Sequence, residues 1–147
     1  MTKTVMIKHI RFCILVTSLL MTVSAGAQQE GKSYRIGFMS LRSETGPWDE
    51  AFKLALQEYG YVEGKNVSVV YRWAEGNFER FPALAADLVQ LKVDLIVTET
   101  TPAAAAAKKA TRTIPIVMAT GGDAVGAGLI ASLARPGGNI TGETFIG

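Results

Sequence analysis

Histidine and cysteine are almost missing from this chain. It has one of each, His9 and Cys13, and both fall in an N-terminal segment that reads as a removable export signal. The remainder then has no thiol to oxidise or pair and no imidazole. Ser-His-Asp and Cys-His catalysis are excluded, as is any zinc site that needs imidazole or thiolate. A carboxylate- or lysine-based enzyme stays open, but no spaced acidic pair stands at the expected strand ends. We therefore expect no catalysis, no cofactor and no metal.

Long hydrophobic runs are also lacking. The longest, Phe12 to Val23, is too short to cross the ~30 Å apolar core of a bilayer as a helix. It lies between a basic start (Lys3, Lys8, Arg11) and the small residues Ala25-Gly26-Ala27, the three parts of a secretory signal. Cleavage near Ala27 would place the protein in the periplasm or outside the cell. Cys13 opens the apolar run and does not stand at the cleavage point, so lipidation is not expected.

Charge of one sign is scarce as well. Charged residues make up 19% of the chain. Three of the basic residues leave with the signal, so the formal +2 becomes −1. Only Lys108 and Lys109 are adjacent. A nucleic-acid footprint needs clustered Lys and Arg, so nucleic acid is excluded as a partner.

After a polar leader at 28–33, the pattern alternates between strand and helix. Strands are expected at Tyr34–Ser40, Asn66–Trp73, Val93–Thr98, Ile114–Ala119 and Asn139–Ile146. Apolar residues at helical spacing mark helices at Trp48–Tyr59 and Phe78–Lys92. The first would bury Trp48, Phe52, Ala55, Leu56 and Tyr59, with Asp49 and Glu50 in its first turn, where the helix dipole favours anions. An alanine-rich helix at Ala103–Ala110 would approach the sheet closely, and a short one is expected at Val125–Ala134. Five strands alternating with four helices give an α/β fold, a parallel doubly wound sheet with helices on both faces. Ligands of such sheets sit beyond the carboxyl ends of the strands. Gly126-Ala127-Gly128-Leu129-Ile130-Ala131 matches a loose dinucleotide fingerprint, but it does not open the first strand–helix unit, so no nucleotide is expected.

The stretches YRIGFMS (34–40), EYGYVEGKNVSVVYRWAEGNFERFPALAADLV (58–89), VDLIVTETTPAAAAAKKATRTIPIVM (93–118) and GLIASLARPGGNITG (128–142) resemble the ABC transporter substrate-binding family typified by tryptophan- and tyrosine-binding importers. The resemblance implies one lobe, residues 34–147, of a periplasmic binding protein type 1 fold. It also implies a hinge, a second lobe, a small amino-acid-like and possibly aromatic ligand, an ABC permease partner and no enzymatic activity. Two departures stand out. Ala124 follows Asp123 where the family has proline, and Glu143–Gly147 fits the family less well. The expectation is a truncated form without the second lobe, whose affinity would fall toward millimolar. The rival expectation is an exported module that self-associates through an exposed sheet edge and lobe face.

Candidate ligand-binding residues follow the strand ends. Thr98, Thr100 and Thr101 surround a helix start whose N–H groups suit a carboxylate; plain capping by Thr101 explains them too. Glu99 could meet an ammonium group or simply be solvated. The segment Ser40 to Ser43, with Ser40 and Leu41 the chosen candidates, lies at the end of the first strand and should face the same crevice. Trp73 ends the second and could stack on an aromatic ligand or pack in the core. Gly121 and Asp123 could bring backbone near a ligand or form a tight turn.

Overall fold

In a computed structural model, described over residues 32–145, the chain forms a five-stranded, wholly parallel sheet in the order β2-β1-β3-β4-β5. The elements follow as β1 (Tyr34–Ser40), α1 (Pro47–Glu58), β2 (Val67–Trp73), a 3₁₀ turn (Phe78–Arg80), α2 (Phe81–Gln90), β3 (Leu95–Thr98), α3 (Thr101–Ala110), β4 (Ile116–Met118) and β5 (Ile140–Gly142). The chain winds outward from β1 to β2, then crosses back over β1 to β3. The direction of winding reverses there, so a crevice opens between the ends of β1 and β3. Register aligns those ends, with Ser40 opposite Trp73, Met39 opposite Thr98 and Thr98 opposite Met118.

Alternation along the strands sorts the core into two layers. Ile36, Phe38, Val67 and Val97 face α1 and pack with its Phe52 and Leu56. Met39, Ile96, Ile116, Met118 and Ile140 face the opposite layer, built from Phe81, Ala85 and Leu88 of α2 and Ala103, Ala104, Ala106 and Ala107 of α3. The alanines are the reason α3 can pack tightly, since they add little bulk between helix and sheet. Gly37 plays the same part on β1: a Cβ there would stand 2.8 Å from both terminal methyls of the buried Leu88. Gly142 meets a harder constraint, with φ near +131° and the backbone oxygen of Met118 2.1 Å from any added Cβ.

The structure corrects several expectations. Val125–Ala134 is a series of turns, not a helix. Asp123 Oδ1 accepts from the Val125 and Gly126 N–H groups, Gly128 has positive φ, and Lys108 Nζ donates to the Gly128 and Leu129 carbonyls. Those carbonyls are engaged by a tertiary partner, and two glycines tax any helix there. Among the described residues, three α-helices and a 3₁₀ turn therefore stand where four helices were expected. The Phe78–Lys92 segment starts as that separate turn, capped by Asn77 Oδ1 on the Glu79 N–H. The first strand has the expected bounds, Tyr34–Ser40, and the other four are shorter than expected, beginning at Val67, Leu95, Ile116 and Ile140. On α1 the stripe formed by Trp48, Ala55 and Tyr59 is exposed, and only Phe52 and Leu56 pack inward. Residues 1–31 and 146–147, with the signal, most of the leader and Ile146, lie outside the described residues. No described helix is long and apolar enough to cross a membrane.

Candidate functional site

The crevice at the ends of β1 and β3 is an open cleft of about 580 Å³. Phe38, Ser40, Leu41 and Arg42 line it from β1 and the loop after it; Trp48 and Phe52 come from α1. Glu99 and Thr100 line it from the β3–α3 turn, and Ala119, Thr120 and Glu143 close the far side. The aromatic wall is formed by α1 because Pro47 and Asp49 fix its first turn at the mouth of the cleft. Trp48 there is 76% exposed, an unusual position for so large an apolar ring.

Arg42 organises the floor. Its Nη1 and Nη2 donate to Asp49 Oδ2 and Oδ1 at 2.7 and 3.0 Å. Nη2 and Nε also donate to Glu99 Oε1 and Oε2 at 3.0 and 3.2 Å, and Nε donates to Ser40 Oγ. The guanidinium lies 5.1 Å from the centre of the Trp73 ring, within cation–π range. Asp49 is completely buried and accepts a further 2.6 Å bond from the Gly46 N–H. Burial alone would push its carboxyl upward, but the bonds from Arg42 and Gly46 outweigh that and hold it below the ordinary carboxylate value. The bond to Asp49 raises the Arg42 pKa further, Glu99 adds to it, and burial opposes both.

The other expected residues divide. Ser40, Leu41 and Thr100 line the cleft. Thr100 is the N-cap of α3, its Oγ1 accepting from the Ala103 N–H at 3.3 Å. Pro102 has no N–H, so among the described residues the Thr101 N–H is the backbone donor of that first turn left unengaged. Capping therefore belongs to Thr100, and Thr101 Oγ1 instead accepts from the Gly122 N–H. Thr101 and Gly121 line a shallow depression that adjoins the cleft, shares Glu99, Thr100 and Thr120 with it, and is bordered by Phe78 and Phe145. Thr98 is fully buried, and its Oγ1 has no hydrogen-bond partner; it lies one residue out of step with the cleft face. Trp73 is half-buried, stacked on Tyr71 with ring centres 5.1 Å apart, and does not line the cleft. Asp123 caps its own turn.

Sequence reasoning placed Ser40 to Ser43, and so Arg42, at the crevice but missed that Arg42, Asp49 and Trp48 form one group. Asp49 read as a helix-start anion, which it is, and Trp48 as a core residue. The available signal was an arginine just past the first strand with an acid at the third position of the next helix. A second groove, about 360 Å³ and lined by Tyr34, Ile36, Leu56, Tyr61 and Leu95 among others, lies at the amino ends of the strands, away from the switch point. No group of three or more His, Cys, Asp or Glu arranged to hold a metal occurs among the described residues.

Comparison with known proteins agrees with this geometry. A curated tyrosine-binding protein from Clostridioides difficile is 40% identical over 95 residues, which cover 65% of this chain and 28% of that protein. The ligand-free, open structure of a substrate-binding protein with adhesive properties from Clostridium difficile superposes with a TM-score of 0.71 at 30% identity, covering 78% of this chain and 39% of that one. An ABC domain from Streptococcus pneumoniae in complex with L-Trp gives 0.66 at 31% identity, over 77% and 39%. A conserved domain protein from Vibrio cholerae gives 0.70 at 34% identity, over 78% and 40%. The chain thus spans well under half the length of these relatives. The model of the family described as ABC transporter substrate binding protein matches residues 48–144, and the chain belongs to that family.

Proposed function

We propose that this lobe supplies one wall of a binding site for a small amino acid with an aromatic side chain, and that it works outside the cytoplasm as part of the capture component of an ABC importer. The observation that carries this reading is the cleft at the β1/β3 switch point, where Trp48, Phe38 and Phe52 face polar groups from Ser40, Arg42, Glu99 and Thr100. An aromatic ring fits the apolar side; the Thr101 N–H and the Thr100 hydroxyl at the α3 start suit a carboxylate. The relatives named for tyrosine and crystallised with L-Trp support the aromatic class. In that family setting the permease is the protein partner, and a second lobe would supply the facing contacts.

The test uses protein exported from cells expressing the whole sequence. Mass spectrometry of its N-terminus should place the cleavage near Ala27. Titration of the ¹⁵N-labelled protein with L-tryptophan and L-tyrosine should then shift amides at Ser40–Arg42, Trp48 and Glu99–Thr101. Shifts confined to the groove at the opposite strand ends, or none up to the solubility limit, would overturn the assignment.

A further inference from the structure

We infer that Glu99 receives the ligand's ammonium group and that Arg42 is the positioning residue that aims it, not the clamp for the ligand's carboxylate. This rests on the amino-acid reading above and assigns roles within the same cleft.

An arginine on the floor of an amino-acid site invites the assumption that it binds the carboxylate. Here all but one of its N–H donors are already committed, a single Nη1 N–H being left over. Nε, Nη1 and Nη2 all bond to Asp49, Glu99 or Ser40, and Asp49, entirely buried, locks one side of the guanidinium in place. The charge balance points the same way. Arg42 stands against Asp49 behind it and Glu99 and Glu143 on the cleft wall, so these groups sum to a negative field that favours a cation. Asp49 is sealed off. Glu99, with 21% of its side chain exposed, borders the cleft and spends two of its roughly four acceptor positions on Arg42. The remaining two are held in a fixed direction by the arginine fork. Glu143 carries the same charge but forms no ion pair among the described residues, so it is a weaker site for directed recognition.

The experiment compares three ligands on the exported protein by NMR titration: L-tryptophan, indole-3-propionate (no ammonium) and tryptamine (no carboxylate). Indole-3-propionate should bind about tenfold more weakly than L-tryptophan, the loss expected for one charge-assisted hydrogen bond. Glu99→Gln should weaken L-tryptophan and tryptamine by a similar factor and leave indole-3-propionate unchanged. Glu143→Gln should do much less. Arg42→Lys keeps the charge without the fork, and should shrink the ratio between L-tryptophan and indole-3-propionate while the far-UV circular dichroism is retained. Equal binding of L-tryptophan and indole-3-propionate by the unaltered protein would overturn the inference. So would a Glu99→Gln effect of the same size on all three ligands, which is what a purely structural role would give. If none of the three binds, the amino-acid reading itself fails, and this one with it.

Discussion

Replacing Asp49 with asparagine should destabilise the molecule more than its place in the first turn of α1 suggests. The side chain is fully buried and paired with an arginine whose side chain is 29% exposed. Removing one partner of a buried ion pair costs about 3–5 kcal/mol; the partial exposure of Arg42 lets water recover some of that, leaving about 2–4 kcal/mol. Part of the loss comes from the Gly46 N–H, which would face an amide free to present its nitrogen. With a urea slope near 1.5 kcal/mol/M, the midpoint should fall by about 1–3 M, read by circular dichroism. The pH dependence carries a sign. The folded-state pKa of Asp49 lies below its ordinary 3.8, so its contribution is complete above that value and fades as pH drops through the folded pKa. Asp49→Asn should therefore flatten the acid limb of the stability curve. A change below about 0.5 kcal/mol, with the acid limb intact, would refute the claim that this pair anchors the cleft floor.

Three further outcomes are expected. Gly142→Ala should destabilise by about 2–4 kcal/mol, because its φ favours glycine and a Cβ would strike the β4 backbone; thermal melts would check it. Trp48→Ala should leave stability within about 0.5 kcal/mol, since the ring is solvent-exposed, yet weaken L-tryptophan binding by about tenfold by NMR titration. Thr100→Ala should cost about 1 kcal/mol through loss of the α3 cap, measurable by urea unfolding.

Most of the layered architecture was legible as local pattern. Runs such as YRIGFMS and VDLIVT are apolar on both faces, which only a covered parallel sheet explains, and the family blocks named the lobe before any geometry was known. Alanines at 103–107 announced close packing, and the structure shows it. The failures share one cause: position in three dimensions. Val125–Ala134 has a helical composition, but Asp123 and Lys108 claim its backbone groups from outside the segment. Trp48 lies on the apolar stripe of α1, but it sits in the first turn, at the cleft beyond the strand ends, and only Phe52 and Leu56 pack on the sheet.

Secondary structure and topology class depend on residues close along the chain, through periodicity and turn chemistry, so composition and spacing suffice to read them. The cleft does not. Arg42 and Glu99 are 57 positions apart and become partners only because β1 and β3 lie side by side with Met39 level with Thr98. That register puts Ser40 and Glu99 on the α1 face and turns Thr98 into the core. Which threonine caps, which acid is buried and which tryptophan borders the cleft were settled by strand pairing, since it is the sheet that converts distant positions into neighbours.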